Sequence, residues 1–413
     1  MKNQNRSIVR DLKDLLDNYL TESYAKDFIK VLSDDTSVNQ SNDQNISELD
    51  KMQILYEPSK GINYRIKVDK IITLCSKLLS EDKYFNLILD LSQLMFFSGE
   101  VSYSLEIAED LQGKLQSNRK HSNLLADTYL MISKIHWSQA NWEDCSYFIS
   151  EAMRVFKSVE DKAGIAKCEN MLGTLYGEKG EFDEAKVHLE KALELVGNKE
   201  NLLSRAMILT NLGIICTVKN NYEKAIWYYK EAQEEFNMLK DVRRLSRVYH
   251  NLGMLYTRMK NYDAALDEFN KCITLSLENN YLSNCAVAYI GKAFIYTSLK
   301  NPGLADAYTD KAMELAYKLN DTLSIADIYK IKGIVQTEMN NFELSEELFE
   351  NSIRLNKDIE SKLNEAESSA LLGELLVSRD KKEEAKPYLQ TAANYFNGSN
   401  NEKFTSGLIE QSI

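Results

Sequence analysis

Between residues 85 and 396 the large apolar side chains recur at spacings of three and four, the period of a helix buried on one side. Short polar stretches such as "KNN", "MKN" and "EMNN" interrupt that rhythm and predict turns between helices. The pattern itself then repeats. "NYEKAIWYYKEA", opening at Asn221, returns as "NYDAALDEFNKC" at Asn261, and related phrases open at Asn141, Glu181, Asn301, Asn341 and Lys381, in steps of forty residues. A long fixed period marks stacked helical units, each unable to bury its apolar face alone, rather than separate globular domains.

Each unit reads as a pair of helices. The first carries a small residue at Gly173, Gly213, Gly253, Ala293, Gly333 or Gly373, with a leucine before it at Leu172, Leu212 and Leu252 and a tyrosine four places before it at Tyr249, Tyr289 and Tyr329. The second opens on an aromatic followed by an acid, as in Trp142-Glu143, Phe182-Asp183, Tyr222-Glu223, Tyr262-Asp263 and Phe342-Glu343, so that a carboxylate meets the positive end of the helix dipole. Small residues follow at Cys145, Ala185, Ala225, Ala265, Ala305, Ser345 and Ala385, and again seven places later at Ala152, Ala192, Ala232, Cys272, Ala312, Ser352 and Ala392. Small side chains there let two helix axes approach, and bulk would force repacking at about 1–3 kcal/mol. An eighth, weaker unit has Ser92 at the small site and "EVSYSLEIAEDL" (100–111) as its second helix.

These marks resemble the tetratricopeptide repeat. Its pattern of a large residue, Leu-Gly, Tyr, Ala, an aromatic and a small residue is met in the central unit by Tyr249, Leu252-Gly253, Tyr256, Ala265, Phe269 and Cys272. The usual unit is about 34 residues, so forty implies longer helices, as in the subclass of kinesin light chains, LGN-type polarity adaptors and bacterial peptide-sensing regulators. The resemblance implies an all-α, right-handed superhelical solenoid of about eight repeats over residues 85–396. Around it we expect an N-terminal helical segment with a flexible polar linker (1–47), a helical cap or degenerate repeat (48–84), and a C-terminal tail or short capping helix (397–413).

Composition supports the helical reading and narrows the partners. Only three prolines and sixteen glycines punctuate 413 residues. Fifty basic against sixty-two acidic residues give a net charge of −12, which repels phosphate backbones and anionic lipid and argues against nucleic-acid or membrane binding. Six cysteines without a CxxC pair read as reduced core residues of a cytoplasmic protein. The N-terminal "MKNQNRSIVRDLKDLLDNYL" has no apolar run of a secretion signal, and no stretch approaches a membrane span.

Signals of enzymatic chemistry are poor. His121, His136, His188 and His250 fall in separate repeats without HExxH spacing, and "GEKGEF" (177–182) lacks the Lys-Ser or Lys-Thr of a phosphate loop. The expectation is no enzyme, no cofactor and no metal.

In the resembled family, ligands contact first helices three before, one after and four after the small site, with an asparagine two before it touching ligand backbone. Carried over, this implies Lys134, Trp137, Asn170, Asn211, Thr217, His250, Asn251, Met254, Thr257, Phe294 and Lys330, flanked by Lys167 and Arg247. Asn211 and Asn251 suit a peptide bond, being donor and acceptor at once, or else bond the neighbouring helix. Thr217 and Thr257, with Thr297 and Thr337, line the groove or bond back to their own helix. Lys134, Lys167, Arg247 and Lys330 together favour an acidic ligand; singly they read as solvated cations. Met254 and Phe294, with Ile290, form an anchor pocket if exposed and core if covered. The function expected is a non-catalytic scaffold holding a peptide or partner helix. The alternatives are a peptide-responsive regulator acting through its N-terminal segment and a self-assembling, homo-oligomeric structural protein.

Overall fold

The computed structural model describes residues 12, 15–20, 60–98, 100–116, 119–139, 141–197, 201–279, 281–319, 321–359 and 361–398. Among the described residues every regular element is a helix. The predicted linker and the tail from 399 onward lie outside the described residues, as do residues 48–59 of the predicted cap. The chain divides into two compact units, residues 1–175 and 176–413.

In the first unit, α1 (Lys60–Leu78), α2 (Glu81–Phe97) and α3 (Val101–Leu115) enclose a core of Val68, Ile71, Cys75, Leu87, Leu91, Met95 and Leu111, into which Leu12 and Leu16 also insert. The Tyr19 hydroxyl donates to Asp90 at 2.5 Å, tying the N-terminal residues to α2. A 3₁₀ turn (Arg119–His121) leads to α4 (Ser122–Ser138) and α5 (Trp142–Ser158), and α6 (Lys162–Glu178) runs into the division.

The second unit continues with α7 (Phe182–Val196) and then five helix hairpins: α8 (Leu202–Val218) with α9 (Tyr222–Met238), α10 (Val242–Arg258) with α11 (Tyr262–Glu278), α12 (Leu282–Ser298) with α13 (Pro302–Leu319), α14 (Thr322–Glu338) with α15 (Phe342–Asp358), and α16 (Lys362–Ser378) with α17 (Lys382–Gly398). Each first helix also touches the first helix of the next hairpin, whereas second helices make no comparable contact among the described residues. The stack is therefore tighter on its first-helix side.

The sequence dictates this packing at two kinds of position. Ala225, Ala232, Ala265, Cys272, Ala305 and Ala312 are all fully buried at crossings. The glycines seat the ring sixteen residues on: a Cβ on Gly213 would come within 2.5 Å of Tyr229, on Gly253 within 2.6 Å of Phe269, and on Gly333 within 2.6 Å of Phe349.

Helix ends are set locally. Asn201, Asn221, Asn261 and Asp321 cap helix starts by accepting from the backbone N–H three residues on. Asn220, Lys240, Lys260, Lys300 and Asn340 close helices in the left-handed region, with φ between 54° and 61°, where Gly180 stands in the equivalent turn. A side chain there costs energy that glycine does not incur. Lys260→Gly is expected to raise stability by about 0.5–1 kcal/mol and Lys260→Val to lower it, read by urea denaturation.

Candidate functional site

The first-helix side of the second unit places α8, α10, α12 and α14 next to one another. One residue past each small site stand Ile214, Met254 and Phe294, which are 41%, 39% and 45% exposed. They occupy one register on three adjacent helices, so the tight face of the stack carries a row of large apolar side chains open to solvent. In the next repeat the row closes, where Ile334 packs against the Phe349 cluster.

One helical turn back lie the polar candidates. Asn211 and Asn251 are both half-buried at equivalent places on α8 and α10. His250 lies against the Phe269 ring at 5.7 Å, and its Nδ1 is enclosed with no hydrogen-bond partner. Burial, helped by the Arg247 charge, pushes the imidazole down to about 4, so it is neutral at pH 7.

Thr217 and Thr257 are buried, and their hydroxyls donate at 2.8 Å to the carbonyls of Gly213 and Gly253. Thr297 and Thr337 bond back in the same way. These hydroxyls are thus engaged within their own helices.

The four cations do not behave alike. Lys330 meets Glu367 at 2.8 Å and Asp327 at 3.2 Å. Burial pulls its ammonium down, but the two carboxylates outweigh that and leave it raised. Arg247 instead has an exposed side chain and no carboxylate partner among the described residues; crowding by the surrounding helices, with Arg243 and Arg244 close by, draws its guanidinium below the usual range. In the first unit Lys167 pairs with Asp127 at 2.7 Å, and the Lys134 ammonium sits 4.2 Å over the Phe97 ring and 5.0 Å over Phe96. Trp137 in that unit is half-buried, with its indole N–H enclosed and unpartnered, and Asn170 is likewise half-buried.

Nothing else among the described residues suggests chemistry. No group of three or more His, Cys, Asp or Glu there is placed to hold a metal, and no helix is long and apolar enough to cross a membrane. The six cysteines are free and buried, with burial pushing the Cys75 thiol to about 11 and those of Cys168 and Cys272 to about 12, far from a reactive thiolate.

Residues 124–196 and 204–278 match the family model of the tetratricopeptide repeat. Among solved structures the chain is similar to a Rap protein complexed with competence and sporulation factor, at 15% identity over 88% of this chain and 98% of that one, with a TM-score of 0.59. It is also similar to the Rap conjugation gene regulator of plasmid pLS20 in complex with the Phr* peptide (13% identity, 79% and 98% covered, TM-score 0.57). A third likeness is to aspartyl phosphate phosphatase F from Bacillus subtilis (14% identity, 95% and 91% covered, TM-score 0.54). At these identities the likeness is one of fold. No curated protein matches the sequence.

Proposed function

We propose that this chain, a tetratricopeptide repeat protein, is a non-catalytic interaction protein that holds an extended peptide against the first-helix face of residues 176–413. The observation that carries the reading is the row Ile214, Met254 and Phe294. Large apolar side chains are left in water at one register of three adjacent helices, while the residues immediately before and after each of them in sequence are buried. Large apolar side chains exposed in register on adjacent helices suit a binding site, and rigid helices spare the ordering cost of association. Two of the similar folds were solved in complex with competence and sporulation factor and with the Phr* peptide, which agrees with this use of the fold.

Selecting a displayed random-peptide library on the intact protein tests the reading. Peptides with large apolar residues should enrich, and Met254→Asp combined with Phe294→Asp should weaken their binding at least about 100-fold, two lost anchors at roughly 1.5 kcal/mol each. Unchanged affinity with an intact helical spectrum would refute the site. Loss of acid-labile phosphate from an aspartyl-phosphorylated protein on adding this chain would refute the non-catalytic part.

A second reading, a regulator that signals through its N-terminal segment, draws support from Leu12 and Leu16 in the first unit's core and from the Tyr19–Asp90 bond. Under it, deleting residues 1–47 abolishes a downstream response yet leaves peptide affinity intact.

A further inference from the structure

The residue before the small site is a leucine at Leu172, Leu212, Leu252 and Leu372, but a lysine in two repeats, Lys292 on α12 and Lys332 on α14. Each reaches the second helix of the repeat before it. Lys332 finds two carboxylates there, Asp306 at 3.0 Å and Asp310 at 2.6 Å. One repeat earlier the same two places hold Leu266 and Asn270, so Lys292 finds only an amide, donating to Asn270 Oδ1 at 2.8 Å. Lys292 is 6% exposed, and among the described residues no carboxylate pairs with it. The acids nearby are already taken: Asp267 and Glu268 by Lys271 at 2.6 and 2.8 Å, and Asp306 and Asp310 by Lys332. A buried cation left without an anion is costly, and a chain of net charge −12 has acids enough to have supplied one.

A second cation stands close by. The Lys292 ammonium lies 4.3 Å over the Tyr308 ring on α13, and the Lys311 ammonium lies 5.7 Å from that ring and 5.6 Å from the Tyr289 ring. A ring face attracts an ammonium without cancelling its charge. Tyr308 is itself fixed by stacking with Tyr296 at 5.4 Å and Tyr289 at 5.9 Å. The two ammonium groups therefore flank one rigid ring with no anion between them among the described residues. Asn270 on α11 and Lys311 on α13 are both exposed, so the Lys292 methylenes lie beneath while its head reaches a mouth between those two helices. An ammonium carries three donors and only one is spent on Asn270, whose Oδ1 is thereby engaged and whose Nδ2 remains a donor.

We propose that the mouth between α11 and α13 binds a small dianionic oxyanion, inorganic phosphate or a compact phosphate monoester, held by the Lys292 and Lys311 ammonium groups with the Asn270 amide nitrogen as a further donor. Two cations are matched by two negative charges, and a phosphate monoester carries about −1.5 to −2 at pH 7. Its several oxygens suit donors converging from two helices. Lys292 and Phe294 are two residues apart, about 200° round the helix, so this site faces away from the apolar row and stands independently of the peptide-binding reading.

The test is equilibrium dialysis of the full chain against radiolabelled inorganic phosphate at constant ionic strength, which should show one site per chain. Lys292→Met removes a buried charge and should keep the helical spectrum while weakening phosphate at least about tenfold. Asn270→Asp gives Lys292 the carboxylate that Asp310 gives Lys332, so it should weaken phosphate as much and raise the melting temperature. Lys230→Gln, which removes an exposed charge on α9, should bind as wild type does. Sulfate should displace the label at least about tenfold better than acetate. No binding up to about 10 mM phosphate, or binding that survives either Lys292→Met or Asn270→Asp, overturns the site. Acetate displacing as well as sulfate overturns the dianion assignment. An acetylated, amidated phosphoserine hexapeptide that displaces the label better than unlabelled phosphate assigns the mouth to a phosphorylated protein segment and overturns the small-molecule ligand.

Discussion

Phe269→Ala is expected to cost about 3–5 kcal/mol, the range for removing a fully enclosed aromatic ring. The side chain is 0% exposed, and its ring is held from two sides by backbone with no Cβ: one on Gly253 would approach to 2.6 Å and one on Gly291 to 2.4 Å. The ring therefore fixes the spacing of α10, α11 and α12 at once, and His250 lies against it. Repeats exchange contacts only with their neighbours, so the loss should split the unfolding transition of the second unit instead of shifting it whole. Hydrogen exchange should show α10 to α12 opening first. Gly253→Leu, which drives atoms into the same ring, should be destabilising alone and less than additive with Phe269→Ala, because the new side chain enters the space the ring leaves. A cost below about 1 kcal/mol for Phe269→Ala would mean that the crossing does not depend on the ring.

The glycine seats explain why so much of the fold was legible in the sequence. Gly213, Gly253 and Gly333 recur because an aromatic sixteen residues on must lie on bare backbone, and that demand imposes the same spacing on every repeat it governs. The candidate site was less legible for a different physical reason. Lys167 and Lys330 look like free groove cations until their partners are located, and those partners, Asp127 and Glu367, sit on neighbouring repeats 40 and 37 residues away. Whether a cation is paired depends on register between helices, which a residue's own surroundings in sequence do not reveal. Thr217 and Thr257 are ambiguous in another sense: the hydroxyl finds an acceptor four residues back in its own helix, so a regular row of threonines does not by itself require a ligand. Met254 and Phe294 were ambiguous between anchor and core because period alone cannot say which apolar face a neighbouring repeat covers. Their exposure shows that they are not core.

Arg205→Met should also be strongly destabilising, by about 3–5 kcal/mol, because it strands a buried carboxylate. The Arg205 guanidinium on α8 contacts Glu235 on α9 directly and lies 3.6 Å from Glu231, with the Arg205 and Glu235 side chains only 16% and 6% exposed. Glu235 Oε2 has no hydrogen-bond partner among the described residues, so the Arg205 contact at the other oxygen is what compensates the carboxylate. Without the cation, burial would hold the Glu235 pKa above its unfolded value, so the folded variant would bind a proton more tightly than the unfolded chain. Stability linked to that proton is present below the unfolded carboxylate pKa and is lost as pH rises through the folded one. The variant should therefore gain stability relative to wild type as pH falls from 7 towards 5, measured by urea denaturation at each pH. Replacing both partners, Arg205→Met with Glu235→Leu, removes the stranded charge and should return to within about 1–2 kcal/mol of wild type, since an apolar pair can occupy a buried ionic site at little net cost. A double variant as unstable as Arg205→Met, with no pH dependence in either, would show that Arg205 acts by packing its methylenes and that its charge is incidental.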